Sequence, residues 1–377
     1  MRNACFCSGP CAKRPGWKFP DASFLGRSHR SEEGLKLIQS VLKLQREILR
    51  IPENYLVAVT PSSTSGAMEM LLWNLIGDNG TDILNCCIFS NHWAHDIIDE
   101  LQAKNTNLIS ASFPNQSDVS SVNFSHDVVF CISSTTSGTA FRDLNWIPDD
   151  RKGLTICDAS SGAFAMDIDW KKLDATAFSW QKGLGGEAGL GVIVISPRAV
   201  HRIIETRPQR AMPRIFRMVN NGKLNAALFD GCTINTPSML CMSECYDNLM
   251  WAKENGGLQY LVDRVEKNYN TVQQWIASQN VFRFIVDEKC RAHHIACFDI
   301  NDEKYQALSK SEKVEFLHHI LKTAEEKKYG YDFLGHAHEE PHIRIWCGST
   351  IESDDLQFFL PKLLEVFHEV RASYDLR

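Results

Sequence analysis

Between residues 56 and 196 the chain alternates short β-branched runs with helical patterns, and few folds satisfy that alternation. A parallel sheet with helices on both faces is the one it predicts, because each crossover helix must cover a face of the strands it joins. Strands are expected at residues 56–60, 83–89, 108–113, 127–133, 154–158, 175–179 and 191–196. Residues 65–76 and 91–103 have helical period, the second through Ile97, Ile98 and Leu101, so the region reads as βαβ units. From about residue 254 the texture changes. Long helical patterns at 258–279 and 311–326 flank short strand candidates near 282–286 and 294–300, which predicts a smaller α+β C-terminal domain over 254–377 after a large α/β domain over 26–253.

Composition narrows the function classes. The 377 residues carry 46 Asp+Glu against 40 Lys+Arg, a formal net charge of −6, and 44% of them are apolar. A chain of that length buries a large core without disulfide staples. With no run of basic residues there is no electrostatic footprint for nucleic acid or an anionic membrane. The 13 cysteines are odd in number, scattered and mostly beside apolar neighbours, which predicts buried thiols and a reduced, cytoplasmic protein. The spacings of Cys5, Cys7 and Cys11 match no zinc pattern, so no metal site is expected. No apolar leader opens the sequence, and its longest apolar stretches, such as residues 192–195, are strand-sized, so neither a signal peptide nor a membrane span is expected.

One glycine run imitates a dinucleotide fingerprint. Gly183-Leu-Gly185-Gly186-Glu187-Ala188 fits G-x-G-x-x-A, but a strand follows it where the fingerprint requires a helix to receive the pyrophosphate. Lys182, immediately before that run, is more informative. It follows one predicted strand, and Asp158 ends the neighbouring one, so both face the crevice at the carboxyl ends of the strands where ligands of α/β sheets collect. An amine and a carboxylate so placed suit pyridoxal phosphate: the lysine forms a Schiff base and the carboxylate keeps the pyridine nitrogen protonated. A structural Asp–Lys ion pair is the competing reading of these two residues alone. Ser62-Ser63-Thr64-Ser65-Gly66-Ala67 follows a strand and opens a helix, which makes either a phosphate cradle or a plain N-cap. Trp93 can stack on a planar cofactor or sit in the core, and Thr135 follows a strand where a cofactor's phenolic oxygen would lie.

Several separated stretches together carry a resemblance. Residues 157–161 (Cys-Asp-Ala-Ser-Ser), 178–188 (Phe-Ser-Trp-Gln-Lys-Gly-Leu-Gly-Gly-Glu-Ala), 8–17, Ser28-His29-Arg30, 234–238 and 343–348 stand in the order of the phosphoserine aminotransferase family, and the chain resembles it over nearly its whole length. That family belongs to class V of the fold-type I pyridoxal-phosphate enzymes. The resemblance implies a large domain with a mostly parallel seven-stranded sheet, a smaller C-terminal domain, and an N-terminal segment over residues 1–25 packed near the active site. By position it implies Lys182 as Schiff-base lysine and proton carrier, Asp158 as pyridinium partner, Trp93 as ring stack and Thr135 as phenolic-oxygen contact. Ser65, Gly66 and Gln181 would bind the cofactor phosphate, and Asn235 and Thr236 would complete that cup from the other subunit of a homodimer. Arg344 would grip the substrate α-carboxylate, and His29 and Arg30 would meet the substrate phosphate.

The implied reaction passes an amino group from L-glutamate to 3-phosphohydroxypyruvate by ping-pong transamination, with phosphorylated hydroxythreonine as the family's second, vitamin-B6-related substrate. Relatives carry an arginine for the substrate phosphate where this chain reads Gly335-His336-Ala-His338, so His338 stands near that place. A neutral histidine holds phosphate less firmly than arginine, so either His336 and His338 become charged when a phosphate binds, or Lys13 and Arg14 compensate, or the substrate differs. An alanine–glyoxylate or serine–glyoxylate type aminotransferase is the alternative within the same chemistry. A cysteine desulfurase would require a nucleophilic cysteine on a mobile loop, whereas the cysteines here fall mostly in strand-like runs.

Overall fold

A computed structural model describes residues 4–21, 23, 25–206, 210–335 and 340–374. After helix α1 (Glu32–Ile48), capped by the Ser31 side chain accepting from Gly34 N, the chain enters strand β1 (Leu56–Pro61) and helix α2 (Ser63–Leu75). Strands β2 (Thr81–Asn85), β3 (Thr106–Ser110), β4 (Asp127–Cys131), β5 (Thr155–Asp158), β6 (Ala175–Ser179) and β7 (Leu190–Ile195) complete a seven-stranded sheet in the order β1-β7-β6-β5-β4-β2-β3. Only β7 runs against the rest, pairing antiparallel with both β1 and β6. The sheet is therefore mostly parallel, and β1 and β2 lie far apart in it rather than as adjacent members of one βαβ unit.

Alternation along the strands explains why both faces are covered. Val57 and Val59 on β1, with Val192 and Val194 on β7, enter the core beneath α1 and α5 (Met239–Glu254), while Ala58, Ile193 and Ile195 enter the core beneath α2 and α4 (Pro197–Thr206). A strand apolar on both faces belongs in the middle of such a sheet, and β4 to β7 are buried at every residue. At the edge, β3 exposes Leu108.

Two predicted boundaries moved, for local reasons. The strand expected to reach residue 89 stops at Asn85, because the Ser90 hydroxyl accepts from Cys86 N at 3.0 Å and Cys87 N at 2.9 Å and turns the chain into helix α3 (Ile88–His95). Trp93 thus sits on a helix. The helix expected to reach residue 103 widens instead into a π-turn over Asp96–Glu100, closed by Leu101 N donating to Asp96 O at 2.8 Å.

A two-stranded ribbon of β8 (Val219–Asn220) and β9 (Lys223–Leu224) precedes α5. Beyond α6 (Gly257–Ala277), strands β10 (Phe282–Phe284), β11 (Ile295–Ile300) and β12 (Ile343–Trp346) form an antiparallel sheet. Between β11 and β12 come a short helix α7 (Glu303–Gln306) and the longer α8 (Lys310–Glu326), and α9 (Ser353–Ser373) ends the chain. Residues of α6, α8 and α9 share one apolar core with that sheet. The core also takes in Phe6, whose ring lies 4.6 Å from that of Phe359, so the N-terminal segment is anchored on this part of the molecule. Among the described residues no helix is long and apolar enough to cross a membrane.

Candidate active site

Because β2, β4, β5 and β6 run in parallel, their carboxyl ends share one edge of the sheet, and a cavity of about 330 Å³ opens there. Seven of the residues singled out in the sequence line it: Ser65, Trp93, Thr135, Asp158, Gln181, Lys182 and Arg344. Lys182 is buried, with Nζ donating to Ser8 O at 2.7 Å and Thr135 Oγ1 at 3.2 Å. Burial lowers the pKa of its amine, and nearby Arg344 pushes the same way, so the neutral, nucleophilic form is easier to reach than for a lysine in water.

Lys182 and Asp158 form no direct ion pair; other groups hold the carboxylate. Oδ1 of Asp158 accepts from Ser160 N at 2.9 Å and Ser160 Oγ at 2.6 Å, and Oδ2 accepts from the indole Nε1 of Trp93 at 3.1 Å. Burial still raises the pKa of Asp158 against those donors. A carboxylate so enclosed is stabilised most by a cation arriving from the cavity. The indole thus fixes the direction in which the carboxylate points.

Arg344 lies on β12, opposite Cys297 of β11. Its Nη1 donates to Thr135 O at 2.9 Å and its Nε to Leu334 O at 3.3 Å. Two backbone carbonyls fix the guanidinium without neutralising it, so its charge remains for an anion in the cavity. At the other end of the cavity, Ser63, Thr64 and Ser65 open α2. Two buried polar atoms here, Thr64 Oγ1 and Gln181 Oε1, have no hydrogen-bond partner. Unsatisfied polar atoms beside a helix N-terminus are what an incoming phosphate would engage. Gly66 lies beneath this cradle rather than in it: a Cβ there would meet Pro61 O at 2.6 Å and Ser62 Cβ at 2.7 Å, so the glycine permits the tight entry into α2.

The remaining candidates lie elsewhere. His29 is buried just before α1, with its pKa lowered by burial and then by Arg30, and neither it nor the exposed Arg30 lines the cavity. Asn235 and Thr236 are exposed ahead of α5 and do not line it either. His336 and His338 lie outside the described residues. Lys13 and Arg14 offer no substitute charge: Lys13 pairs with Glu187 and Glu244 at 2.6 and 2.7 Å, and Arg14 with Asp247 at 2.5 Å. Lys182 and Arg344 are thus the only cationic side chains lining the cavity among the described residues. The glycine run after Lys182 serves packing, since a Cβ on Gly183 would meet Ala163 O at 2.4 Å and one on Gly185 would meet Ala12 O at 2.4 Å.

Sequence reasoning gave no role to Ser8 or Ser160. Ser8 acts through its backbone carbonyl, which no side-chain pattern reveals. Ser160 carries a readable signal, because a serine two residues after an Asp closes a local turn on that carboxylate.

The Aminotransferase class-V family model matches residues 26–312. The chain is 41% identical over 361 residues to a phosphoserine aminotransferase of Methanosarcina mazei, covering 94% of this chain and 94% of that relative. Among solved structures, a PLP-bound phosphoserine aminotransferase from Trichomonas vaginalis aligns with a TM-score of 0.75 at 18% identity, covering 95% of this chain and 99% of that one. An alanine–glyoxylate aminotransferase from Nostoc aligns as well, with a TM-score of 0.77 at 15% identity over 97% and 95% of the two chains. At such identities the likeness is one of fold and does not separate one substrate from another.

Proposed function

We propose that the chain, a pyridoxal-phosphate-dependent transaminase that belongs to the class-V aminotransferase family, is a phosphoserine aminotransferase, exchanging an amino group between L-glutamate and 3-phosphohydroxypyruvate. The observation that carries this reading is the convergence of Lys182, Asp158 and Arg344 on one cavity, in a chain whose relative at 41% identity bears that name. The cavity fits the cofactor by its own chemistry. It offers a cradle with orphaned polar atoms for a phosphate, a buried carboxylate aimed at a ring nitrogen and an amine for the aldehyde.

Bound there, pyridoxal phosphate supplies the aldehyde that carries the amino group and a ring that takes up electrons from the substrate α-carbon. Ser65, Gln181 and the N-terminus of α2 hold the phosphate, while Gly66 permits their approach. Trp93 would cover the ring, and Thr135 Oγ1, which accepts from Lys182, would hold the phenolic oxygen. Lys182 would hold the cofactor through its amine and would carry the proton to and from the substrate α-carbon. Arg344 receives the α-carboxylate by a two-pronged contact.

The substrate phosphate needs cations that one chain's cavity lacks among the described residues. His29 and Arg30 meet the substrate phosphate in this reading, and Asn235 and Thr236 of the partner subunit complete the cofactor's phosphate cup. A homodimer with shared sites follows. So does a reducing, cytoplasmic setting for the 13 cysteines. Phosphorylated hydroxythreonine fits the same contacts as a second substrate, which would link the enzyme to pyridoxine synthesis as well as serine synthesis. Residues 26–253 form the large domain and 254–377 the small one in this reading, with residues 1–25 as the N-terminal segment beside the site.

A half-reaction tests the substrate. Holoenzyme mixed separately with L-phosphoserine, L-glutamate, L-alanine and L-serine should pass from the pyridoxal to the pyridoxamine absorbance with the first two only. Conversion by alanine or serine but not by phosphoserine would replace the reading with a glyoxylate-type aminotransferase. Arg344→Ala should raise KM for L-glutamate about 10- to 100-fold, the range of a lost charge-assisted contact. Arg344→Lys should recover part of that loss, since the charge returns without the planar fork. An unchanged KM in both variants would move the carboxylate site elsewhere.

A further inference from the structure

A second cavity, of about 160 Å³, lies across the turn that follows Asp158. Ser160 and Ser161 at the start of that turn line the active-site cavity, whereas Ala165 and Met166 near its end line the second. The turn is a wall common to both. Arg142, Arg291, His293 and His294 complete the second cavity together with Glu266 and Asp167.

Each of the two acids has a hydrogen-bonded partner. Asp167 pairs with Arg50 at 2.9 Å and Glu266 with His293 Nδ1 at 2.8 Å. The two arginines are not. Arg291 donates to Val286 O at 2.8 and 3.1 Å and to Tyr269 OH at 3.1 Å, with its guanidinium over the Phe284 ring, and no carboxylate meets it among the described residues. Arg142 makes no ion pair among the described residues either. His294 is 1% exposed, and neither of its ring nitrogens has a hydrogen-bond partner. Burial drives its pKa down to about 3, so the ring is neutral and offers one donor and one acceptor. A buried imidazole with both nitrogens unmet costs stability unless something in the cavity engages it. At about 30 Å³ per water, the space suits a few waters or one small anion.

We propose that this cavity is a second, non-catalytic binding site for a small anion, a carboxylate or a phosphate, held by Arg142, Arg291 and the buried His294. An anion there would pair with two guanidinium groups that make no ion pair among the described residues and would satisfy an orphaned imidazole, beside the turn whose first residues hold Asp158. Free phosphate and a small dicarboxylate share the required chemistry, and separate titrations tell them apart.

The test is isothermal titration calorimetry of the holoenzyme with inorganic phosphate and, separately, with succinate, at constant ionic strength in chloride. Saturable binding of either probe is expected, and which probe binds identifies the source. The affinity should weaken at least about tenfold in Arg142→Ala, an exposed position where folding is secure, and in His294→Leu, while Arg344→Ala leaves it unchanged. Arg142→Ala should also retain wild-type transamination. Absence of saturable binding, binding that survives Arg142→Ala, or binding abolished by Arg344→Ala would each overturn the proposal, the last because the anion would then occupy the active site.

Discussion

Replacing Lys182 by alanine should abolish transamination, lowering kcat by a factor of about 10⁴ or more, while the chain still folds. A positioned general acid–base contributes about 10²- to 10⁴-fold by itself, and in the proposed mechanism Lys182 is also the amine that anchors the cofactor. No described neighbour can replace it: among the described residues the other cationic side chain lining the cavity is Arg344, fixed on the carbonyls of Thr135 and Leu334. Borohydride reduction followed by mass spectrometry should attach the cofactor's mass to the wild-type peptide containing Lys182 and to no peptide of the variant. A small primary amine such as ethylamine should restore part of the rate, because it supplies a mobile base to the space vacated. Lys182→Arg, which preserves bulk and charge, should be as inactive as the alanine variant, and that separates lost chemistry from lost structure. An alanine variant within about tenfold of the wild-type rate would remove Lys182 from the mechanism.

The parts of this site that were legible in the sequence are those whose chemistry resides in a side chain at the end of a strand. Lys182 and Asp158 each follow a run of apolar, β-branched or small residues, and a parallel sheet brings such ends to one edge whatever the details of the turns. Turns and side-chain caps were less legible. Ser90 gives no sign in an apolar stretch that it will accept two backbone N–H groups and end β2 early, yet that one hydroxyl puts Trp93 on a helix and its indole against Asp158. Backbone acceptors were not legible at all, which is why Ser8 was missed. Three helices lay outside the sequence expectations: α5 buries Ser243, Glu244 and Asn248 beside Met242 and Leu249, which blurs its apolar face, and α9 carries Pro361 within it, whereas α1, with Ile38, Val41, Leu42 and Ile48 on one face behind the capping Ser31, was legible. Residues that serve a neighbouring subunit, as we propose for Asn235 and Thr236, are exposed in a single chain and can be read only by resemblance.

Asp158→Asn should lower kcat by about 10²- to 10³-fold, the cost of removing one preorganised charge from a buried site, although the two side chains are nearly the same shape. The ionised carboxylate accepts at both oxygens, from Ser160 and from Trp93. An amide can accept at only one, so its NH₂ must face either the indole N–H or the Ser160 donors, leaving a buried donor unmet at about 1–3 kcal/mol. It also brings no negative charge to keep the ring nitrogen protonated. Trp93→Phe separates these two effects. It retains a ring to cover the cofactor and the full charge of Asp158, but it removes one of the donors that hold the carboxylate ionised. Burial already raises the pKa of Asp158, and losing the indole raises it further. Activity that depends on the ionised form is present above that pKa and lost as the pH falls through it. The acid limb of the kcat/KM profile should therefore move to higher pH in Trp93→Phe, with near-normal rates at alkaline pH. In Asp158→Asn the same limb should disappear, since no carboxylate remains to titrate and the rate is low throughout. An acid limb unchanged in both variants would mean that the group controlling it is not Asp158.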